Sequence, residues 1–167
     1  MIVPMKIYLV RHGKAKKISK GGDTARPLSE AGRDEVSRMA SFLGRSFRVP
    51  RVVHSGLVRA AQTALILAET VSPGNMAEES STPMGPMNDV EPFADSLARA
   101  TDDIMLVGHM PFMARLVSYM VTGDADADVC YFETAAVACL EGEDDEWVLQ
   151  WMAGPRMLGM KGIEQAG

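Results

Sequence analysis

A chain of 167 residues, 47% hydrophobic and 23% charged, has the composition of one soluble globular domain with room for a substantial core. No stretch approaches the roughly 18 consecutive apolar residues that span a bilayer, no secretory leader is evident, and Cys130 and Cys139 match no metal or redox spacing. The net charge of −5 hides an asymmetry, with +9 on residues 1–62 and −14 on residues 63–167. A basic half can mark nucleic-acid binding. Here, however, Arg11, Arg26 and Arg59 sit inside structured motifs, no basic run is interleaved with aromatics, and the acidic half repels a long polyanion. The expectation is a cytoplasmic protein with reduced cysteines, no nucleic-acid or membrane partner, and a focused site for a small phosphate.

Met5–Val10 reads as a buried strand, followed by a polar loop with Lys14, Lys16, Lys17, Lys20 and the pair Gly21-Gly22. Ser29 is the expected N-cap of a helix with Val36, Met39, Ala40 and Leu43 on one face, ending near Gly44. Residues 51–55 form a second short strand, and 57–71 a helix with Leu57, Ala61, Ala64, Leu65 and Ala68 at helical spacing. Residues 72–92, rich in Pro, Gly, Ser and Glu, are expected to be a loop or mixed segment over the site. A short helix over 93–100 precedes the third strand, Ile104–Val107. Pro111 then opens a helix that stops near Gly123. Two β-rich stretches, 135–140 and 147–152, follow, with Gly142 expected to make the turn between them. Strands alternating with helices imply an α/β fold of three layers, a mostly parallel mixed sheet flanked by helices with an antiparallel edge. Residues 1–155 are expected to be a single domain and 156–167 a C-terminal extension.

Two of the three histidines stand where an apolar strand stops: Val10-Arg11-His12-Gly13 and Val107-Gly108-His109-Met110-Pro111. Ligands of open α/β sheets bind at this carboxyl edge. An imidazole there can attack phosphorus to form a covalent phosphohistidine. The planar fork of Arg11 matches phosphate oxygens, and Gly13 permits close backbone approach. Arg59 lies in the first turn of its helix, against the helix dipole and without a compensating carboxylate three or four residues away, which a bound anion would explain. His109 can stabilise developing charge on a phosphoryl oxygen. Arg26 either closes over the phosphate or pairs with Asp23 or Glu30, while His54, inside a strand, reads as packing. No His-x-x-x-His, Cys-x-x-Cys, calcium loop, P-loop or dinucleotide fingerprint occurs, so neither metal nor cofactor is expected.

Taken in order, Leu9-Val10-Arg11-His12-Gly13, Arg26-Pro27-Leu28-Ser29, Ser55-x-Leu57-x-Arg59-Ala60-x-Gln62-Thr63, Leu106-Val107-Gly108-His109-Met110-Pro111, Phe132-x-Thr134-x-Ala136 and Trp147…Trp151 resemble the histidine phosphatase superfamily. The likeness is to its phosphoglycerate-mutase-like branch 1, and above all to small SixA-like phosphohistidine phosphatases. The resemblance implies a phosphoglycerate-mutase-like fold, His12 as nucleophile, Arg11, Arg59 and His109 around the phosphoryl oxygens, and Arg26 as an additional pocket arginine. Two departures stand out. Ile18 occupies the place of an asparagine found in larger members, and only Asp89 and Glu91 are candidates for their acidic proton donor. A phosphoramidate leaves as a neutral imidazole and needs less acid help than an ester. The implied substrate is therefore phosphohistidine on a protein phosphotransfer domain. The alternatives are a phosphomonoesterase for small phosphate esters, with Asp89 or Glu91 as acid, and a non-catalytic phosphate-binding module.

Overall fold

The computed structural model describes residues 3–159. Six strands, β1 (Met5–Arg11), β2 (Arg51–His54), β3 (Glu78–Glu79), β4 (Ile104–Gly108), β5 (Val137–Glu143) and β6 (Glu146–Ala153), form one sheet in the order β3-β2-β4-β1-β5-β6. The pairs β3–β2, β2–β4 and β4–β1 are parallel, whereas β1–β5 and β5–β6 are antiparallel. The mostly parallel sheet with an antiparallel edge is the arrangement expected from the alternation of elements.

Helices α1 (Glu30–Gly44) and α2 (Val58–Val71) cover one face, and α3 (Glu91–Leu97) and α4 (Phe112–Thr122) the other. The period-2 pleat divides each central strand between two cores. Tyr8, Val10, Met105 and Val107 pack under α1 and α2, while Ile7, Leu9, Ile104 and Leu106 pack under α3 and α4. Burial on both faces explains why β1 and β4 read as continuous apolar runs. The Ser29 Oγ accepts from Gly32 N at 3.0 Å, capping α1, and Gly123 ends α4 in the left-handed region at φ 82°.

One expectation changes. Gly142 does not make the β5–β6 turn: it lies within β5 opposite Trp147, where a Cβ would meet the indole ring. The turn falls on Asp144 and Asp145, whose φ values of 49° and 66° give the two-residue hairpin geometry that matches strand twist. Segment 72–92 is a mixed segment, one of the two forms expected for it. It supplies β3 at the sheet edge and buries Met84 and Val90 in the core under α3 and α4. Of the expected C-terminal extension, Arg156 N donates to Glu133 Oε1 at 3.2 Å and Leu158 packs on the α1–α2 core. Residues 160–167 lie outside the described residues.

The loop after β1 is strapped to the start of α1. Ser29 N and Ser29 Oγ both donate to the Lys14 carbonyl, at 2.9 and 3.2 Å, and a Cβ on Gly32 would collide with that same carbonyl. Glycine is required at position 32 for close approach rather than for an unusual φ. Gly32→Ala is expected to destabilise the protein by about 1–3 kcal/mol, seen as a lower urea midpoint at unchanged slope; an unchanged midpoint would contradict this packing.

Candidate active site

The carboxyl ends of β1, β4 and β2 converge, and each delivers a residue to one cluster. His12 follows β1 and is held from both sides: its N–H donates to the Gly108 carbonyl at 2.9 Å, and the Arg11 N–H donates to the Ala136 carbonyl at 3.1 Å. His109 follows β4, with its ring centroid 5.0 Å from that of His12. Arg59, 4% exposed, reaches in from the first turn of α2, and its Nε lies 3.4 Å from His12 Nε2. The structure thus brings His12, His109, Arg11 and Arg59 together.

The tautomer of His12 follows from its contacts. Nδ1 is 2.7 Å from the Gly13 carbonyl, which only accepts, so Nδ1 carries the proton and Nε2 keeps its lone pair. Burial is the main reason that the His12 pKa falls to about 4; the Gly13 hydrogen bond opposes it, and Arg59, Arg11 and Arg26 push it further down. At neutral pH Nε2 is unprotonated and faces guanidinium groups, so its lone pair can act as a nucleophile. Burial, then the charges of His12 and Arg59, lowers His109 to about 3. Its Nε2 lies 2.6 Å from Ser55 Oγ.

Two buried side-chain nitrogens lack a hydrogen-bond partner among the described residues, Arg11 Nε and His109 Nδ1, and both belong to this cluster. An unsatisfied buried donor costs about 1–3 kcal/mol. Two of them beside two arginines fit a site that receives a tetrahedral oxyanion.

Arg26 takes the pairing alternative. Its Nε donates to Asp23 Oδ1 at 2.9 Å and its NH1 to the Lys16 carbonyl at 3.1 Å. Asp23 also reaches the buried arginine, accepting from Arg59 NH1 at its carbonyl (2.9 Å) and from NH2 at Oδ2 (3.4 Å). Asp89 and Glu91 are not drawn in: Asp89 Oδ1 accepts from the Glu91 N–H at 3.2 Å at the exposed start of α3. No hydrogen bond or ion pair joins either to the histidines or arginines among the described residues. Their charges act on Tyr119 instead. His54 accepts from the Gly56 N–H at 3.0 Å and stays outside the cluster.

Three residues support the cluster through contacts that the sequence does not reveal. Thr63 Oγ1 accepts from Gly13 N at 3.1 Å and donates to the Arg59 carbonyl at 2.8 Å, joining the His12 loop to α2. Ser55 orients His109, and Asp23 ties Arg26 to Arg59. Thr63 lies four residues after Arg59 on one helical face, a spacing that could have marked it as the arginine's companion. Asp23 is signalled as a partner of Arg26 by its spacing, but nothing in its Lys- and Gly-rich loop signals the contact with Arg59. Among the described residues no group of three or more His, Cys, Asp or Glu is placed to hold a metal ion.

With this geometry established, comparison with known proteins is specific. Residues 7–80 match the model of the histidine phosphatase superfamily (branch 1). That match covers less than half of the chain. The structure is similar to that of the protein histidine phosphatase SixA complexed with tungstate, with 26% identity and a TM-score of 0.82, covering 92% of this chain and 99% of that one. A SixA chain from Agrobacterium tumefaciens, also 26% identical, gives a TM-score of 0.74 over 92% of this chain and 99% of its own. A mycobacterial glucosyl-3-phosphoglycerate phosphatase shares the fold at 18% identity and a TM-score of 0.63, over 89% of this chain and 98% of that one. No curated protein sequence matches the chain. The sheet places His12 and His109 at its carboxyl edge, directly after β1 and β4.

Two measurements check the site. Folded His12 and His109 hold protons less tightly than the unfolded value near 6.5, so the unfolded chain binds more protons as pH falls. Stability is therefore expected to be full above about pH 6.5 and to fall towards pH 4. Chemical denaturation of His12→Gln should show a shallower loss over that interval, and an identical pH slope would contradict the buried neutral imidazole. Thr63→Val keeps the shape but leaves the Gly13 N–H unpaired; it is expected to cost about 1–3 kcal/mol of stability, measured by thermal or urea unfolding.

Proposed function

We propose that this protein is a phosphatase that uses His12 as a nucleophile and hydrolyses phosphohistidine on a protein phosphotransfer domain. The observation that carries the reading is the pair of fixed roles on one ring: Nδ1 is tied to the Gly13 carbonyl, and Nε2 is free and faces Arg59. Arg11, Arg59 and His109 hold the phosphoryl oxygens, with Arg26 at the rim. The likeness to a SixA protein histidine phosphatase bound to tungstate, a tetrahedral oxyanion, supports both the nucleophile and the substrate class.

The reaction is a double displacement. The Nε2 lone pair attacks phosphorus, the P–N bond to the substrate ring breaks, and phospho-His12 forms. Water then hydrolyses phospho-His12 and releases inorganic phosphate. The arginines and His109 neutralise charge on the equatorial oxygens, the main service a protein offers phosphoryl transfer. A metal ion has no assigned part. Residues 1–155 form the one phosphatase domain, acting in the cytoplasm. The likeness to SixA, and the absence among the described residues of a hydrogen bond or ion pair from Asp89 or Glu91 to the site, both favour the phosphoramidate over small phosphate esters.

The test is hydrolysis of phosphohistidine on a phosphotransfer domain, beside phosphomonoesters, for wild type and His12→Ala with a chelator present. Turnover of the phosphoramidate by wild type, reduced at least ~10³-fold in His12→Ala, is expected. Turnover of esters alone would replace this substrate with a small metabolite. Phosphate binding without turnover of either would replace the enzyme with a binding module.

A further inference from the structure

Asp23 has no part in the double displacement described above, yet its carboxylate sits among the groups that perform it. It lies in a single 3-10 turn (Asp23–Ala25), with its side chain 66% exposed and its two oxygens divided between Arg26 and Arg59. Arg59 in turn lies against His12 Nε2, so one guanidinium separates the nucleophile from the carboxylate. Of the described carboxylates, Asp23 is the one whose charge acts on His109. The Arg26 hydrogen bond, followed by the Arg59 charge, holds it below the usual carboxylate range, so it is ionised at neutral pH.

An anion at the mouth of an anion site works against a bare phosphate ester, because it repels the incoming dianion and competes for the same arginines. It also has no proton to give an alkoxide leaving group. A phosphohistidine differs in one respect: when its second ring nitrogen is protonated, the leaving group is a cation directly attached to phosphorus. We propose that Asp23 is the residue that discriminates between substrates at this site, pairing through its carboxylate with the protonated imidazole of the phosphohistidine substrate. The proposal rests on the phosphohistidine reading above.

The proton balance requires no general acid. The Nε2 lone pair of His12 forms the new N–P bond, and the electrons of the old P–N bond return to the substrate ring nitrogen. The ring departs neutral, keeping on its other nitrogen the proton it brought. Asp23 holds that N–H by a charge-assisted hydrogen bond during the transfer. This accounts for a site with an ionised carboxylate at its mouth and no contact to Asp89 or Glu91.

The experiment compares kcat/KM for phosphoimidazole, a small phosphoramidate with a protonatable ring, and p-nitrophenyl phosphate, whose leaving group needs no proton. For Asp23→Asn, activity on phosphoimidazole should fall about tenfold while activity on the aryl ester rises about threefold, and inorganic phosphate should inhibit more tightly. Asp23→Glu should restore part of the wild-type ratio. Equal falls on both substrates would make Asp23 only a holder of the arginines and overturn the proposal; so would an unchanged ratio. Failure of wild type to turn over either substrate would overturn the functional reading itself, an outcome distinct from a wild type that is active and indifferent to Asp23.

Discussion

The hydrogen bond from His12 Nδ1 to the Gly13 carbonyl, spanning one residue at 2.7 Å, determines which ring nitrogen can attack phosphorus. With the proton fixed on Nδ1, the lone pair of Nε2 faces Arg59, and in the proposed reaction the imidazole serves as a nucleophile rather than a donor. This arrangement needs a loop that cannot swing. His12 N and Arg11 N are bonded to β4 and to the Ala136 carbonyl, Gly13 N is bonded to Thr63, and Lys14 O is bonded to the α1 cap at Ser29. Each of these bonds comes from a different element. The site is therefore as rigid as the sheet that carries it, the condition for electrostatic preorganisation.

Rigidity has an electrostatic consequence. Desolvation of half-buried His12 and buried His109 beside the buried Arg59 keeps both rings neutral in the resting protein, with pKa values of about 4 and about 3. A bound phosphoryl group supplies the negative charge that the arginines lack and makes a proton on His109 favourable at the moment when oxygen charge develops. The cluster is thus costly to fold, and in the proposed reaction the bound phosphoryl group would offset that cost, a trade of stability for function that is common at preorganised sites.

Much of this was legible in the chain because the signals were short-range and redundant. The runs Ile7–Val10 and Ile104–Val107, each ending at a histidine, locate the strands and the edge that carries the site together. The Ser29 cap and the helical spacing from Ala61 to Ala68 locate the helices around them. What escaped depends on contacts between distant segments. Asp23 and Arg59 are 36 residues apart, and Gly13 and Thr63 are 50 apart. Gly142 was misread because glycine serves close packing as readily as turning, and the ring of Trp147 decides between them. The Asp144-Asp145 turn was missed because aspartate tolerates positive φ without glycine.

The central claim is that His12 Nε2 carries the phosphoryl group between the two half-reactions. The direct measurement is mass spectrometry of protein mixed with phosphoimidazole, quenched in alkali within milliseconds and digested, to locate the phosphoryl group. The account predicts an acid-labile, alkali-stable phosphohistidine on the peptide containing His12 that decays at the turnover rate. Turnover without any phosphoryl group on that peptide, or with the group on His109, would contradict it.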